Sequence, residues 1–225
     1  MMQQPESPQY GSGPTFALVA AVLFGVSTPF AKLIGEDLNA FLLAGLLYLG
    51  SGLGLAVWRF GSRRAAEAPR EAALQRADLS WMAAVVLFGG ILGPALLMFG
   101  LQAASGSAAS LLLNLESLAT MLIAWLVYRE NVDRRLFLGA MAILAGAVLL
   151  SWDFASISLS GGALLVAAAC VCWGIDNNLT RKISGSDPVQ IAMIKGLAAG
   201  ATNTILGLTL GAAWPTIPQV AAAGA

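Results

Sequence analysis

The chain of 225 residues is 58% hydrophobic and only 11% charged, with 25 glycines and a mean hydropathy of +0.77, which excludes an ordinary soluble domain. Twelve Lys and Arg balance twelve Asp and Glu, and no basic run has the length that nucleic-acid binding needs. Histidine is absent, which removes the usual general base and the commonest metal ligand; Cys170 and Cys172, spaced C-x-C in an apolar run, suggest neither a disulfide framework nor a zinc site.

Residues 1–15 are rich in Gln, Pro, Ser and Gly and hold no Lys or Arg, so they read as a disordered tail rather than a signal peptide. A bilayer core about 30 Å thick needs roughly 20 apolar residues per helix. Seven runs approach that size: 16–34, 40–58, 81–101, 105–128, 136–152, 161–180 and 189–213. They predict an all-α, polytopic membrane helix bundle of seven transmembrane helices, because runs this long and continuous do not suit the short alternating strands of a membrane barrel. Arg59, Arg63, Arg64, Arg70 and Arg76 follow the second run, Arg129, Arg134 and Arg135 the fourth, and Arg181 and Lys182 the sixth, against Lys32 alone on the other side. The positive-inside rule then puts these three loops and the N-terminus in the cytoplasm of a multi-pass inner-membrane protein. The stretch 61–80 alternates Arg with Glu67, Glu71 and Asp78 and reads as a solvated linker or a short helix on the membrane surface.

Pro29 and Pro94 each remove a backbone donor from an apolar run, which kinks a helix or frees carbonyls that neighbours must satisfy. Gly50-x-x-x-Gly54, Gly89-x-x-x-Gly93 and Gly196-x-x-x-Gly200 predict faces of close helix approach. Trp58, Trp81, Trp125, Trp152 and Trp214 fall near the ends of runs, as interfacial anchors do, whereas Trp173 lies deeper.

Ionisable groups at membrane depth are costly and usually face a cavity or pair with one another. There are three, Glu116, Asp176 and Lys195. Glu116 is read near the centre of the fourth run, with Thr120 one turn further on the same face and Asn114 close by; it can bind a proton, a cation or a substrate amine, or serve as a hydrogen-bonding residue between helices. Asp176 leads the triplet Asp176-Asn177-Asn178. Lys195 is read at about the same depth as Asp176, roughly 7.5 Å short of the centre of its span, so the two are expected to be able to pair. The candidate substrate-binding or coupling residues are Asn114, Glu116, Thr120, Trp173, Asp176, Asn177 and Lys195, with no catalytic or metal-ligating set and no cofactor.

The segment 18–25, ending Phe24-Gly25, recurs as 166–174, ending Trp173-Gly174, at an offset of 149 residues. An offset spanning five helices reverses the direction of entry into the membrane, which is the inverted-repeat arrangement of secondary transporters. The division expected is a first five-helix repeat over 16–152 and a partial second repeat over 161–225. Two full repeats at that offset need roughly 295 residues, so the chain reads as C-terminally truncated.

The stretch 103–152, with its small-residue helix, the acidic Glu130 at its end, a basic turn and a helix patterned by Gly139 and Gly146, resembles the fourth and fifth helices of EamA-type transporters in the drug/metabolite transporter superfamily. Phe24-Gly25 and Trp173-Gly174 resemble the first-helix signature of each half. Members of that family usually have ten helices, and many carry a proline near the middle of the fourth, where this chain has Glu116. The resemblance implies secondary transport of a small metabolite, most often export, without ATP, and the sequence contains no Walker-type phosphate loop. The partners expected are the lipid bilayer and a small-molecule substrate, with a proton or cation and no nucleic acid; a homodimer is left open. Two other classes compete. A retinal protein would use Lys195 but needs an acid in the third span, which is missing; a truncated, non-transporting membrane scaffold fits the short second repeat.

Overall fold

The computed structural model describes residues 15–16, 18–23, 25–26, 38–61, 72–103, 109, 111–153, 158–159 and 161–214. Pro29, Lys32 and Phe24 lie outside them. From Ala40 onward the described residues form seven α-helices: α1 (Ala40–Gly61), α2 (Leu79–Val85), α3 (Gly93–Ala103), α4 (Leu115–Tyr128), α5 (Arg134–Ser151), α6 (Gly161–Thr180) and α7 (Pro188–Thr209). A 3-10 turn at Arg76–Asp78 and a π-helical segment at Val86–Leu92 join α2 and α3 into one rod, Arg76–Ala103. Two-residue strands β1 (Trp152–Asp153) and β2 (Ser158–Leu159) pair antiparallel between α5 and α6. Among the described residues four helices are long and apolar enough to cross a membrane, Ala40–Gly61, Arg76–Ala103, Gly161–Ile183 and Pro188–Thr209, and α4 is a shorter apolar helix. The chain is an all-helical membrane bundle.

The helix starts follow from local chemistry. Asn39 Oδ1 accepts the Phe41 N–H at 2.9 Å and caps α1. At α7, Asp187 Oδ1 accepts from Val189 and Gln190 at 2.9 and 3.2 Å, with Pro188 preset for the first turn. Arg129 ends α4 in the left-handed conformation, φ 56°.

α1 lies against α7, and α6 packs on α3 and α4, with the π segment wedged between α6 and α7. The main core joins Leu42 and Leu43 of α1, Leu97 and Met98 of α3, and Val166, Ala169 and Cys170 of α6. Large apolar side chains such as Leu53, Val57, Phe60, Leu126, Val127 and Leu164 point outward instead, as the exterior of a bundle in lipid must.

Close packing rests on glycines, because lipid offers no hydrophobic drive and helices gain by backbone approach. A Cβ on Gly196 would lie 2.7 Å from Gly52 Cα and 2.8 Å from Gly52 N. On α1 the contact is made by Gly45 and Gly52, seven residues and two turns apart, whereas Gly54 of the expected Gly-x-x-x-Gly pair faces open space. Gly196→Val is therefore expected to destabilise the bundle by about 1–3 kcal/mol through overpacking, while Gly54→Ala is neutral. Thermal unfolding in detergent checks this; equal midpoints for the two variants would remove the seam as a determinant of stability.

Three loops that the charge pattern puts on one side do meet at one end of the bundle. Arg59 at the end of α1 pairs with Asp187 before α7, and Arg181 after α6 pairs with Glu130 after α4. The Asp187 N–H also donates to the Ala72 carbonyl at 2.9 Å. Partial burial would raise the Asp187 carboxyl, but hydrogen bonds from Arg59 and from the Gln190 and Val189 amides outweigh it and hold the group below the usual carboxylate range.

Candidate functional site

The fourth apolar run is not one straight helix. Leu113 N–H bonds to Ala109, but Asn114 and Glu116 reach back only three residues, to Leu111 and Leu113, at 3.2 and 3.1 Å. The cause is the Asn114 side chain, whose Nδ2 donates to the Leu111 carbonyl at 2.8 Å and so competes with the helical ladder. Glu116, expected near the middle of a continuous span, consequently sits in the first turn of α4, and Asn114 is spent locally.

From that turn Glu116 faces α6. Asn177 Nδ2 donates to Glu116 Oε1 at 2.9 Å and also reaches Thr120 Oγ1 at 3.1 Å. Asn178 anchors the same crossing by donating to the carbonyls of Thr120, 3.0 Å, and Gly174, 2.8 Å. The approach is possible because Gly174 packs on α4, where a Cβ would stand 2.9 Å from the Thr120 nitrogen. Glu116, Thr120 and Asn177 line a cleft of about 660 Å³ between α4, α5 and α6, whose other walls include Met121, Trp125, Leu136 and Ile143. Its far end holds the Glu130–Arg181 pair and Arg135, and Arg181 and Lys182 stack on Tyr128 at 5.0 and 4.8 Å from the ring centre. An adjoining groove of about 380 Å³ shares Met121 and Trp125.

A second polar cluster lies on the other side of α6. Lys195 of α7 pairs with Asp176, whose other oxygen accepts from Thr180 at 3.3 Å. Asp176 is buried, so the pair is desolvated and each charge depends on the other. Gly89 of the π segment makes room for it; a Cβ there would fall within the Asp176 carboxylate.

Pro94 ends this π-helical segment and frees main-chain carbonyls for side chains of neighbouring helices. The Gly93 N–H bonds to Phe88 five residues back, and continuing that register would need an N–H on residue 94, which proline lacks. The Gly89 carbonyl is thereby left to accept Tyr48 Oη at 2.7 Å and Trp173 Nε1 at 3.1 Å. The Gly90 carbonyl accepts Asn203 Nδ2 at 2.7 Å. Trp173 thus serves the helix crossing and does not line the cleft.

The structure sorts the candidates into three places: Glu116, Thr120 and Asn177 at the cleft, Asp176, Lys195 and Trp173 around Gly89, and Asn114 apart from both. Tyr48 and Asn203 were not singled out by the sequence, although a proline four and five residues after two glycines signals carbonyls that need donors from polar residues in neighbouring spans.

Comparison with known proteins gives these features a family. A model described as the EamA-like transporter family matches residues 11–152. An uncharacterized transporter of Methanothermobacter thermautotrophicus is 28% identical over 207 residues, covering 86% of this chain and 60% of the relative. The uncharacterized transporter YyaM of Bacillus subtilis is 26% identical over 141 residues, 56% of this chain and 46% of that protein. The chain thus spans about half to three-fifths of the length of these relatives. A crystal structure of a protein 19% identical superposes with a TM-score of 0.60 over 91% of this chain and 72% of the other, which establishes a shared fold. Matched over more than half of its length, this multi-pass membrane chain belongs to the EamA-like transporter family.

Proposed function

We propose that the protein is an integral inner-membrane secondary transporter of a small metabolite, working without ATP, with its N-terminus in the cytoplasm. The observation that carries the reading is Asn177 bridging Glu116 and Thr120 across α4 and α6 at the wall of the cleft. A carboxylate held there costs stability in a membrane and is accounted for by a substrate or coupling role. In this reading Glu116, Thr120 and Asn177 form the substrate or coupling site, the Asp176–Lys195 pair sets the relation of α6 to α7, and Trp173 positions the π segment. Residues 16–152 act as the first repeat and 161–225 as part of an inverted second one. A transporter cycles by moving one repeat against the other, and the glycine-lined seam between α1 and α7 suits such sliding.

The test is reconstitution. Proteoliposomes holding the protein and an imposed pH gradient are expected to accumulate or lose a metabolite from a defined mixture faster than empty vesicles. Flux equal to empty vesicles for every metabolite would favour the non-transporting scaffold. Orientation is tested separately: in a variant lacking Cys170 and Cys172, a cysteine at position 156 is expected to react with an impermeant thiol reagent from outside and one at position 66 is not. The reverse pattern would overturn the assignment of sides.

A further inference from the structure

The second groove, of about 380 Å³, lies where α5 leans on α4. Among the described residues of α5 only Ala140 is buried, so the two helices touch through a small side chain while larger ones hold them apart. The walls of the groove are Met121, Leu122 and Trp125 of α4 and Phe137 and Met141 of α5, and Arg134 is the one charged residue that lines it. Trp125, Phe137 and Met141 are each more than a third exposed. Arg134 is exposed and joins no ion pair among the described residues, Asp133 beside it included. We propose that this groove binds an anionic phospholipid, with one acyl chain between α4 and α5 and the headgroup phosphate against the Arg134 guanidinium. The site is separate from the Glu116 cleft and does not depend on transport.

Length, charge and wall chemistry select this occupant. From Arg134 to Met141 a helix rises about 10 Å, and one leaflet of the hydrocarbon core is about 15 Å deep, so a chain lying along α5 is matched from its headgroup end inward. Left to water, the groove would hold on the order of a dozen molecules at about 30 Å³ each, with little on its walls to bind them. An acyl chain fills it at no such cost and regains contacts that a void forfeits. The methionine side chains adapt to a flexible chain, and Trp125 is a ring of the kind that settles at headgroup level. The turn 129–135 holds Arg129, Arg134 and Arg135 against Glu130 and Asp133, and Glu130 is already paired with Arg181. That positive excess favours a phosphodiester carrying no ammonium of its own, and a guanidinium can meet two phosphate oxygens at once.

Dioleoylphosphatidylglycerol and dioleoylphosphatidylcholine share their chains and differ in net charge, so they separate headgroup recognition from greasiness. In native mass spectrometry of the purified 225-residue protein in an uncharged detergent, the first phosphatidylglycerol is expected to bind at least about tenfold more tightly than phosphatidylcholine. Arg134→Gln is expected to lose about tenfold, the scale of one charge-assisted contact, whereas Arg135→Gln, which alters the wall of the neighbouring cleft, keeps most of the affinity. Met141→Trp fills the groove and is expected to weaken phosphatidylglycerol by a similar factor. Positions 134, 135 and 141 are exposed, and unfolding midpoints matching wild type show that a loss is not misfolding. Equal binding of the two lipids, or unchanged affinity in Arg134→Gln, would overturn the assignment. An equal loss in Arg135→Gln would reduce it to diffuse charge attraction and overturn the site. Unchanged affinity in Met141→Trp, or displacement of the lipid by millimolar glycerol phosphate, would show an anion site without a seated chain and overturn it as well.

Discussion

Glu116→Gln is expected to reduce gradient-driven flux by at least about tenfold with little change in expression or thermal stability. The reason lies in what the substitution keeps. A glutamine amide oxygen can still accept the Asn177 hydrogen bond made at 2.9 Å, so the α4–α6 crossing stays closed and the stability change should stay within about 0.5 kcal/mol. What disappears is the negative charge and the ability to exchange a proton. A coupling carboxylate predicts that the pH dependence of flux vanishes; a substrate carboxylate predicts that apparent affinity for the cargo weakens first. Wild-type flux with a wild-type pH profile would reduce Glu116 to an interhelical hydrogen-bonding residue, and Asp176 with Lys195 would become the next pair to test.

The largest stability effect is expected at Lys195→Met. Asp176 is 6% exposed on its side chain and Lys195 21%, so removing the ammonium leaves a carboxylate beside Gly89 whose remaining hydrogen-bond donor among the described residues is the Thr180 hydroxyl at 3.3 Å. Breaking a buried pair in this way costs about 3–5 kcal/mol, or a fall in unfolding midpoint on the order of 6 °C or more. The double variant Asp176→Asn with Lys195→Met removes both charges and is expected to recover more than half of the loss. If the single variant unfolds with wild type, or the double variant is no better than the single, the charges do not depend on one another and the pair is incidental.

Hydropathy alone finds α6, where the apolar run 161–180 and the helix Gly161–Thr180 coincide, because glycine and basic residues bracket it. The depths of Asp176 and Lys195 along their runs are likewise enough to suggest a pair, and the two side chains meet. The break at Asn114 is not visible in the same way: the run 105–128 holds polar residues at several places without a glycine or proline near Asn114 to mark a break, and only the side chain bonding to its own backbone at Leu111 shows that the ladder gives way. Glycine spacing misleads for a related reason. Gly50 and Gly54 form the familiar four-residue motif, yet the face of α1 that meets α7 carries Gly45 and Gly52, since the choice of face depends on the partner helix and not on the motif. Least legible is the bonding around Gly89 and Gly90. Periodicity reports side chains, whereas here the acceptors are main-chain carbonyls released by a proline and met by Tyr48, Trp173 and Asn203 from three other helices.

That last arrangement imposes an order on biosynthesis. Tyr48 precedes Gly89 in the chain, so one carbonyl has its partner as soon as the two helices leave the translocation channel together. The Gly90 carbonyl must wait for Asn203, 113 residues later, which at ribosomal speeds of roughly 5–20 residues per second is about 6–23 s. A nascent chain arrested before residue 203 emerges is accordingly expected to be cleaved by protease within 86–92 more readily than one arrested well beyond Thr209, and equal sensitivity would show that the carbonyl finds another partner. During that interval an exposed acceptor sits where lipid cannot solvate it, so the half-made protein depends on water, the insertion machinery or a chaperone until its own downstream helix arrives.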